Sequence, residues 1–117
     1  MAERVLIVDD HAPFRSIARA LLTAEGFEVV GEAGDGRSAL EASRRLRPTV
    51  VLLDIQLPDL DGFEVARQLA ADPDGPAVVL TSSRDSSSYR RRLAGSTARG
   101  FIAKAELSGA AVAALVG

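Results

Sequence analysis

Three short runs, Val5-Leu6-Ile7-Val8, Val50-Val51-Leu52-Leu53 and Val78-Val79-Leu80, are apolar at every position and rich in β-branched residues. A strand with one wet face alternates apolar and polar residues, so unbroken apolarity predicts strands covered on both sides, as in a parallel sheet. Phe27 to Val30 and Phe101 to Ala103 are two weaker strands. Between the strands the period changes. From Pro13, which suits a first helical turn, Phe14, Ile17, Ala18, Leu21 and Leu22 recur at the spacing of one helix face as far as Gly26. Asp35 is placed to cap a second helix, with Ala39, Leu40, Ser43 and Leu46 on its inner side and Pro48 ending it. A third runs from about Asp61 through Phe63, Ala66, Leu69 and Ala70 until Asp72-Pro73 and Gly75-Pro76 break the chain. Ser86-Ser87-Ser88 is expected to cap a short helix through Leu93, which Gly95-Ser96-Thr97 interrupts. The last helix begins at Ser108, with Leu107 and Val112 at the N′ and N4 positions of a hydrophobic staple. Strands alternating with helices predict an α/β fold, a parallel sheet with right-handed crossovers and helices on both faces.

Composition adds bounds. A chain of 117 residues is one domain, read here as residues 1–117, since a typical domain takes ~150. With 47 % hydrophobic and 26 % charged residues it should fold alone. Fourteen basic against sixteen acidic residues give a net charge of -2, without the basic excess of a nucleic-acid domain, so no nucleic-acid binding by this chain is expected. The absence of cysteine excludes disulfides, thiolate metal sites and cysteine nucleophiles. No apolar run approaches the ~18 residues of a membrane span, and residues 1–8 lack a basic stretch and cleavage site; the cytoplasm is the expected location, with no membrane partner. Among the basic residues Lys104 is the only lysine, which invites a specific role.

The strong strands end in residues capable of chemistry: Asp9-Asp10 after the first, Asp54 after the third and Thr81 after the fourth, while Lys104 follows the fifth. If the strands take the flavodoxin-like order 2-1-3-4-5, these separated positions converge on one pocket at the carboxyl edge of the sheet, where such folds bind ligands. Three carboxylates gathered there repel one another unless a cation balances them. All-oxygen ligands, without cysteine or a histidine cluster, point to Mg²⁺ or Mn²⁺ rather than zinc. Lys104 adds a compact positive charge with three donors, and Thr81 a hydroxyl that can follow an incoming oxygen. Such a pocket is suited to taking a phosphoryl group onto a carboxylate.

In these residues the chain resembles the receiver domain of two-component response regulators. The resemblance covers residues 4 to 116 and rests on Val5 to Asp10, on Leu53-Asp54-Ile55-Gln56-Leu57-Pro58-Asp59 with Asp61-Gly62, on Thr81-Ser82, and on Gly100-Phe101-Ile102-Ala103-Lys104. It implies a flavodoxin-like doubly wound (βα)5 fold and Asp54 as phosphoacceptor. It also implies Mg²⁺ held by Asp10 directly, by Asp9 through water, by Asp54 and by the backbone carbonyl of Gln56. Thr81 and Lys104 would contact phosphoryl oxygens, and Phe101 would be the aromatic that changes rotamer with Thr81. Asp10-His11 and the segment Val30 to Gly36 resemble the branch that often carries a LuxR/NarL-type helix-turn-helix output domain. The chain is therefore expected to be a stand-alone receiver or a piece of a longer regulator. Ala105 departs from the common pattern, which has proline after the lysine; without it a cis peptide, unfavourable by about 2.5 to 4 kcal/mol, is not expected, and the Lys104 loop should be shaped differently.

The expected partners are a sensor histidine kinase or phosphotransfer protein as donor, a downstream protein or output domain, and a second copy of the chain on phosphorylation. No general base is required, because a carboxylate is already ionised at neutral pH. Gln56 and Ser83, two residues beyond Asp54 and Thr81, flank the pocket and are expected to modulate later hydrolysis of the acyl phosphate. Residues Ser86 to Leu93, with few apolar anchors, should be the segment that shifts most readily. His11 is read as a solvated residue ahead of the first helix, and Arg90-Arg91-Arg92 as a solvated helix face. Two other readings compete. An aspartate-nucleophile phosphatase needs an Asp-x-Asp arrangement, whereas here Asp9 and Asp10 are adjacent and Asp54-Ile55-Gln56 ends in an amide. A scaffold that keeps the fold without phosphorylation would have no need of all five pocket residues.

Overall fold

In a computed structural model, which describes residues 2–116, the chain alternates strand and helix throughout. The elements are β1 (Arg4–Val8), α1 (Ala12–Ala24), β2 (Glu28–Ala33), α2 (Gly36–Leu46), β3 (Val50–Asp54), α3 (Gly62–Ala70), β4 (Ala77–Ser82), α4 (Arg90–Ala94), β5 (Gly100–Ala103) and α5 (Gly109–Val116). Short 3₁₀ turns at Ser86–Tyr89 and Lys104–Glu106 precede α4 and follow β5. The strands form one parallel sheet in the order β2-β1-β3-β4-β5, the expected flavodoxin-like arrangement.

The apolar strands carry two cores. Leu6, Val8, Val51, Leu53, Val78 and Leu80 meet α2, α3 and Tyr89 on one face. Val5, Ile7, Val50, Leu52, Val79 and Ile102 meet α1 and α5 on the other. Successive strand residues point to opposite faces, so a strand sandwiched between helix layers needs an apolar residue at every position. The predicted helix ends hold. Asp35 accepts from Ser38 N at 2.8 Å, Asp61 from Phe63 N at 2.8 Å, and Ser108 Oγ from Ala111 N at 3.0 Å. Leu107 and Val112 share one core cluster, as the staple requires.

Three sequence expectations need correction. Strand β2 runs on to Ala33, beyond Val30; its register slips by one residue between Val5 and Leu6 of β1, where Gly31 rather than Val30 pairs with Leu6. This edge strand breaks its apolar run with Gly31 and Glu32, features that blunt an edge against further pairing. Ile17 is 62 % exposed, outside the buried face of α1, because it lies about 100° around the helix from fully buried Ala18. The side-chain cap in this segment is Asp85 rather than one of the serines, and it opens the 3₁₀ turn, accepting from Ser87 N at 3.1 Å; α4, bounded by Tyr89 without a side-chain cap, spans five residues, none fully buried, with Leu93 half-buried against the core.

Candidate functional site

The acidic end of the sheet begins where β1 stops. Asp9 N donates to Ala33 O of β2 at 3.0 Å, and the Arg15 guanidinium, ion-paired to Glu32 at 3.1 Å, donates to the Asp9 carbonyl. The Glu32 carboxyl is held below the usual range chiefly by its hydrogen bond from Arg19, with Arg15 adding to it against a burial effect of opposite sign. These contacts fix the backbone behind a side chain that is itself fully buried. Asp9 Oδ1 accepts from His11 N at 2.8 Å. Asp10 follows on the surface, and His11 is exposed as the N-terminal boundary residue of α1.

Asp54, 4 % exposed, ends the central strand β3 and faces Thr81 across the β3–β4 register. Ile55 N donates to Thr81 O at 2.9 Å, closing the sheet one step beyond the carboxylate. The loop after Asp54 turns back tightly, with Gly62 N donating to Ile55 O at 2.8 Å. A Cβ at Gly62 would lie 2.5 Å from the Asp54 carbonyl oxygen, so only glycine fits there. Gln56 N donates to Asp54 Oδ1 at 3.1 Å, while its side chain is exposed.

Lys104 reaches over from the end of β5. Its Nζ is 3.3 Å from Asp54 Oδ2 and 2.5 Å from Asp9 Oδ2, and it lies over the Phe14 ring at 4.7 Å from the centroid. Asp9 Oδ2 is nonetheless buried without a partner at hydrogen-bonding geometry, so it meets a charge rather than a directed bond. Burial pushes the Asp54 carboxyl up, and the Asp9 charge adds to it; the Gln56 amide and Lys104 pull the other way and lose. For Lys104 burial acts downward, but the Asp9 contact and the charges of Asp54 and Asp9 outweigh it and hold the ammonium above the usual range. One oxygen from each of Asp9, Asp10 and Asp54 can lie within 4.8 Å of the others. Three such carboxylates, two of them buried, fit a hard divalent cation with oxygen ligands.

The structure thus brings Asp9, Asp10, Asp54 and Lys104 into one pocket, with Thr81 buried beside Asp54 and Gln56 on the rim. Ser83 is exposed just past the end of β4. Phe101 is half-buried, and its ring stands 6.2 Å from that of Tyr89, which in turn stands 6.2 Å from Phe63. Sequence reasoning missed Tyr89, the chain's only tyrosine, standing in a polar run. It is buried, and its hydroxyl lies 3.2 Å from the buried Ser82 Oγ, next to Thr81. Arg90, Arg91 and Arg92 are exposed as expected, and Arg92 in addition pairs with Asp61 at 2.7 Å and lies 4.3 Å above the Phe63 ring. A cleft of about 770 Å³ opens at the opposite end of the sheet, lined by Arg44 and Arg47 together with Asp72 and Asp74, so neither sign of charge prevails there.

The chain is thus a doubly wound α/β domain with clustered acids and one lysine at the carboxyl edge of its sheet. Residues 5–115 match the family model described as the response regulator receiver domain. Over 106 residues the chain is 40 % identical to BvgA of Bordetella pertussis, named as a positive transcription regulator of virulence factors; the match takes in 91 % of this chain and 51 % of that protein. It is 45 % identical over 85 residues to MtrA of Mycobacterium tuberculosis, named as a DNA-binding response regulator, covering 73 % of this chain and 37 % of MtrA. The signal receiver domain of the response regulator NarL from Mycobacterium tuberculosis superposes with a TM-score of 0.84 at 34 % identity, covering 99 % of this chain and 98 % of that one. The chain belongs to the receiver domain family of two-component response regulators, and its relatives include the LuxR/NarL branch. It spans about half the length, or less, of the curated relatives it matches.

Proposed function

We propose that residues 1–117 form a single receiver that accepts a phosphoryl group on Asp54 from a phosphohistidine of a sensor kinase or phosphotransfer protein. The observation that carries this reading is the buried Asp54 carboxylate, 3.3 Å from the Lys104 ammonium and within reach of the Asp9 and Asp10 oxygens. An Asp54 oxygen attacks phosphorus; the P–N bond to the donor imidazole breaks in line, and the electron pair leaves with that nitrogen. The transition state is loose, so positioning and charge stabilisation do the catalysis. Asp9, Asp10, Asp54 and the Gln56 carbonyl would hold Mg²⁺, with Mn²⁺ as a substitute, and the ion supplies positive charge to the equatorial phosphoryl oxygens. Lys104 exchanges its pairing with carboxylates for pairing with a phosphoryl oxygen. Hydrolysis later cleaves the acyl phosphate by attack of water on phosphorus, returning the Asp54 carboxylate and inorganic phosphate. In this reading Gln56 and Ser83 modulate the water's access.

The readout in this proposal runs through Thr81 and Phe101. New acceptor oxygens on Asp54 offer Thr81 a charge-assisted hydrogen bond. Its movement changes the space beside Phe101, whose ring is only half-buried and adjoins Tyr89. Helix α4, in which no residue is fully buried, then shifts, and the α4–β5–α5 surface presents a new face to a downstream protein, an output domain or a second copy. The domain acts in the cytoplasm as a switch rather than a turnover enzyme and does not itself touch nucleic acid. The test is incubation with acetyl phosphate and Mg²⁺ followed by intact mass. One phosphoryl adduct is expected on the wild type and none on Asp54→Asn; an equal adduct on both would overturn the assignment.

A further inference from the structure

The lysine that serves the pocket stands on a poorly anchored loop. Lys104 opens a 3₁₀ turn, Lys104–Glu106, in which no residue is buried, and Ala105 and Glu106 are exposed. All peptide bonds of the described residues are trans, and no proline stiffens the turn. A flexible four-carbon stem on such a loop leaves the ammonium free to pair with whichever carboxylate is nearest. Its pairs with Asp9 and Asp54 must open to admit a phosphoryl oxygen, so a contact that keeps the ammonium over the pocket at that moment has to leave its donors available.

Phe14 meets that requirement. It sits in the first turn of α1, where its N–H donates to His11 O at 3.0 Å, and it packs against the core formed by Ala18, Leu22 and Val112. Its ring is therefore fixed by an element independent of the lysine loop. Lys104 Nζ lies on the ring face at 4.7 Å from the centroid, while also reaching Asp9 and Asp54. The face of an aromatic ring attracts a cation through its quadrupole, without a lone pair that would occupy an N–H. It thus holds the charge in place and leaves the three donors free for oxygens. We infer that Phe14 is a positioning residue for phosphoryl transfer, holding the Lys104 ammonium over the pocket by its ring face in place of a rigid lysine loop. This inference rests on the phosphoryl-accepting reading of the site.

Lys104 is the only lysine of the chain, so its ε-methylene signals stand alone in a proton–carbon NMR spectrum. In the wild type they should carry a ring-current displacement that Phe14→Leu abolishes and Phe14→Tyr keeps. With acetyl phosphate and Mg²⁺, the labelling rate at Asp54 should fall about fivefold in Phe14→Leu, the factor that corresponds to a cation–ring attraction of ~1 kcal/mol. Phe14→Tyr should restore it. Site-specific fluorination of Phe14 drains the ring face at nearly constant volume, and the rate should fall stepwise with each added fluorine while melting temperature stays level. A packing role would instead make the rate follow melting temperature and ignore fluorination. Equal rates in the wild type and Phe14→Leu, or a flat fluorine series, overturn the inference while leaving the phosphoacceptor assignment intact. A wild type that takes no label overturns both.

Discussion

Asp54 carries the most consequential charge of the molecule. Burial, reinforced by Asp9, raises its folded-state pKa above that of the unfolded chain. A carboxyl raised in this way contributes stability that is complete below its unfolded pKa and lost as pH rises through the folded one. At neutral pH without divalent ions the ionised side chain therefore weakens the fold, and Asp54→Asn should melt at a higher temperature than the wild type. Below about pH 4, where the unfolded carboxyl is protonated too, the advantage should disappear. Melting curves in a chelating buffer across that range check it; a variant that melts lower at pH 7 contradicts the burial argument. Several residues of this pocket were legible in the sequence because Asp9, Asp10, Asp54 and Thr81 each close an apolar run, which marks the strand end without any knowledge of packing. Tyr89 was not, because a lone aromatic among serines carries no period, and only the third dimension sets it between Phe63 and Phe101. Arg92 was hidden for a similar reason: its partners Asp61 and Phe63 belong to α3 and its cap.

Helix α4 is the element with the weakest hold. None of its own five residues is fully buried, and the attachment comes from Tyr89 at its start, from half-buried Leu93 against the core and from Arg92. An exposed ion pair contributes about 0 to 1 kcal/mol and an exposed cation–ring contact about 0.5 to 1. Arg92→Ala should therefore lower stability by about 1 kcal/mol. Its larger effect should be local, with faster amide exchange across Ser86 to Ala94 than in the wild type and no change in β1 or β3. Exchange that stays equal in that segment would show that Arg92 does not restrain it. The expectation of an interrupted helix here followed from Gly95-Ser96-Thr97. The cap did not, since Asp85 precedes three serines and any of the four residues has the chemistry for it. Strand β2 shows the converse limit: Gly31 and Glu32 ended the apolar signal, while pairing to β1 carried the strand on to Ala33. Central strands are legible from their two-sided burial, and an edge strand is less so because part of it faces water.

At the scale of the whole molecule the sheet order turns distant residues into one site, since β1, β3, β4 and β5 are neighbours and all end at the same edge. The order and the convergence of Lys104 on the acids could be anticipated, whereas its contact with the Phe14 ring could not, because no sequence period relates the start of α1 to the loop after β5. Three gathered acids, two of them buried, predict that a divalent cation stabilises the fold. Binding to the folded state alone contributes about 1.4 kcal/mol at tenfold excess over Kd. Millimolar Mg²⁺ should accordingly raise the wild-type melting temperature by a few degrees, roughly 4 °C or more for a domain of this size. Asp10→Ala should lose most of that rise, and an equal response in both would place the metal elsewhere. The central claim is that Asp54 accepts the phosphoryl group, and chemical trapping tests it most directly. After treatment with acetyl phosphate and Mg²⁺, borohydride reduces an aspartyl phosphate to homoserine, which peptide mass spectrometry locates. Homoserine at position 54 and nowhere else is the predicted result, whereas trapping at another residue, or no trapping under conditions that label a known receiver, would contradict it.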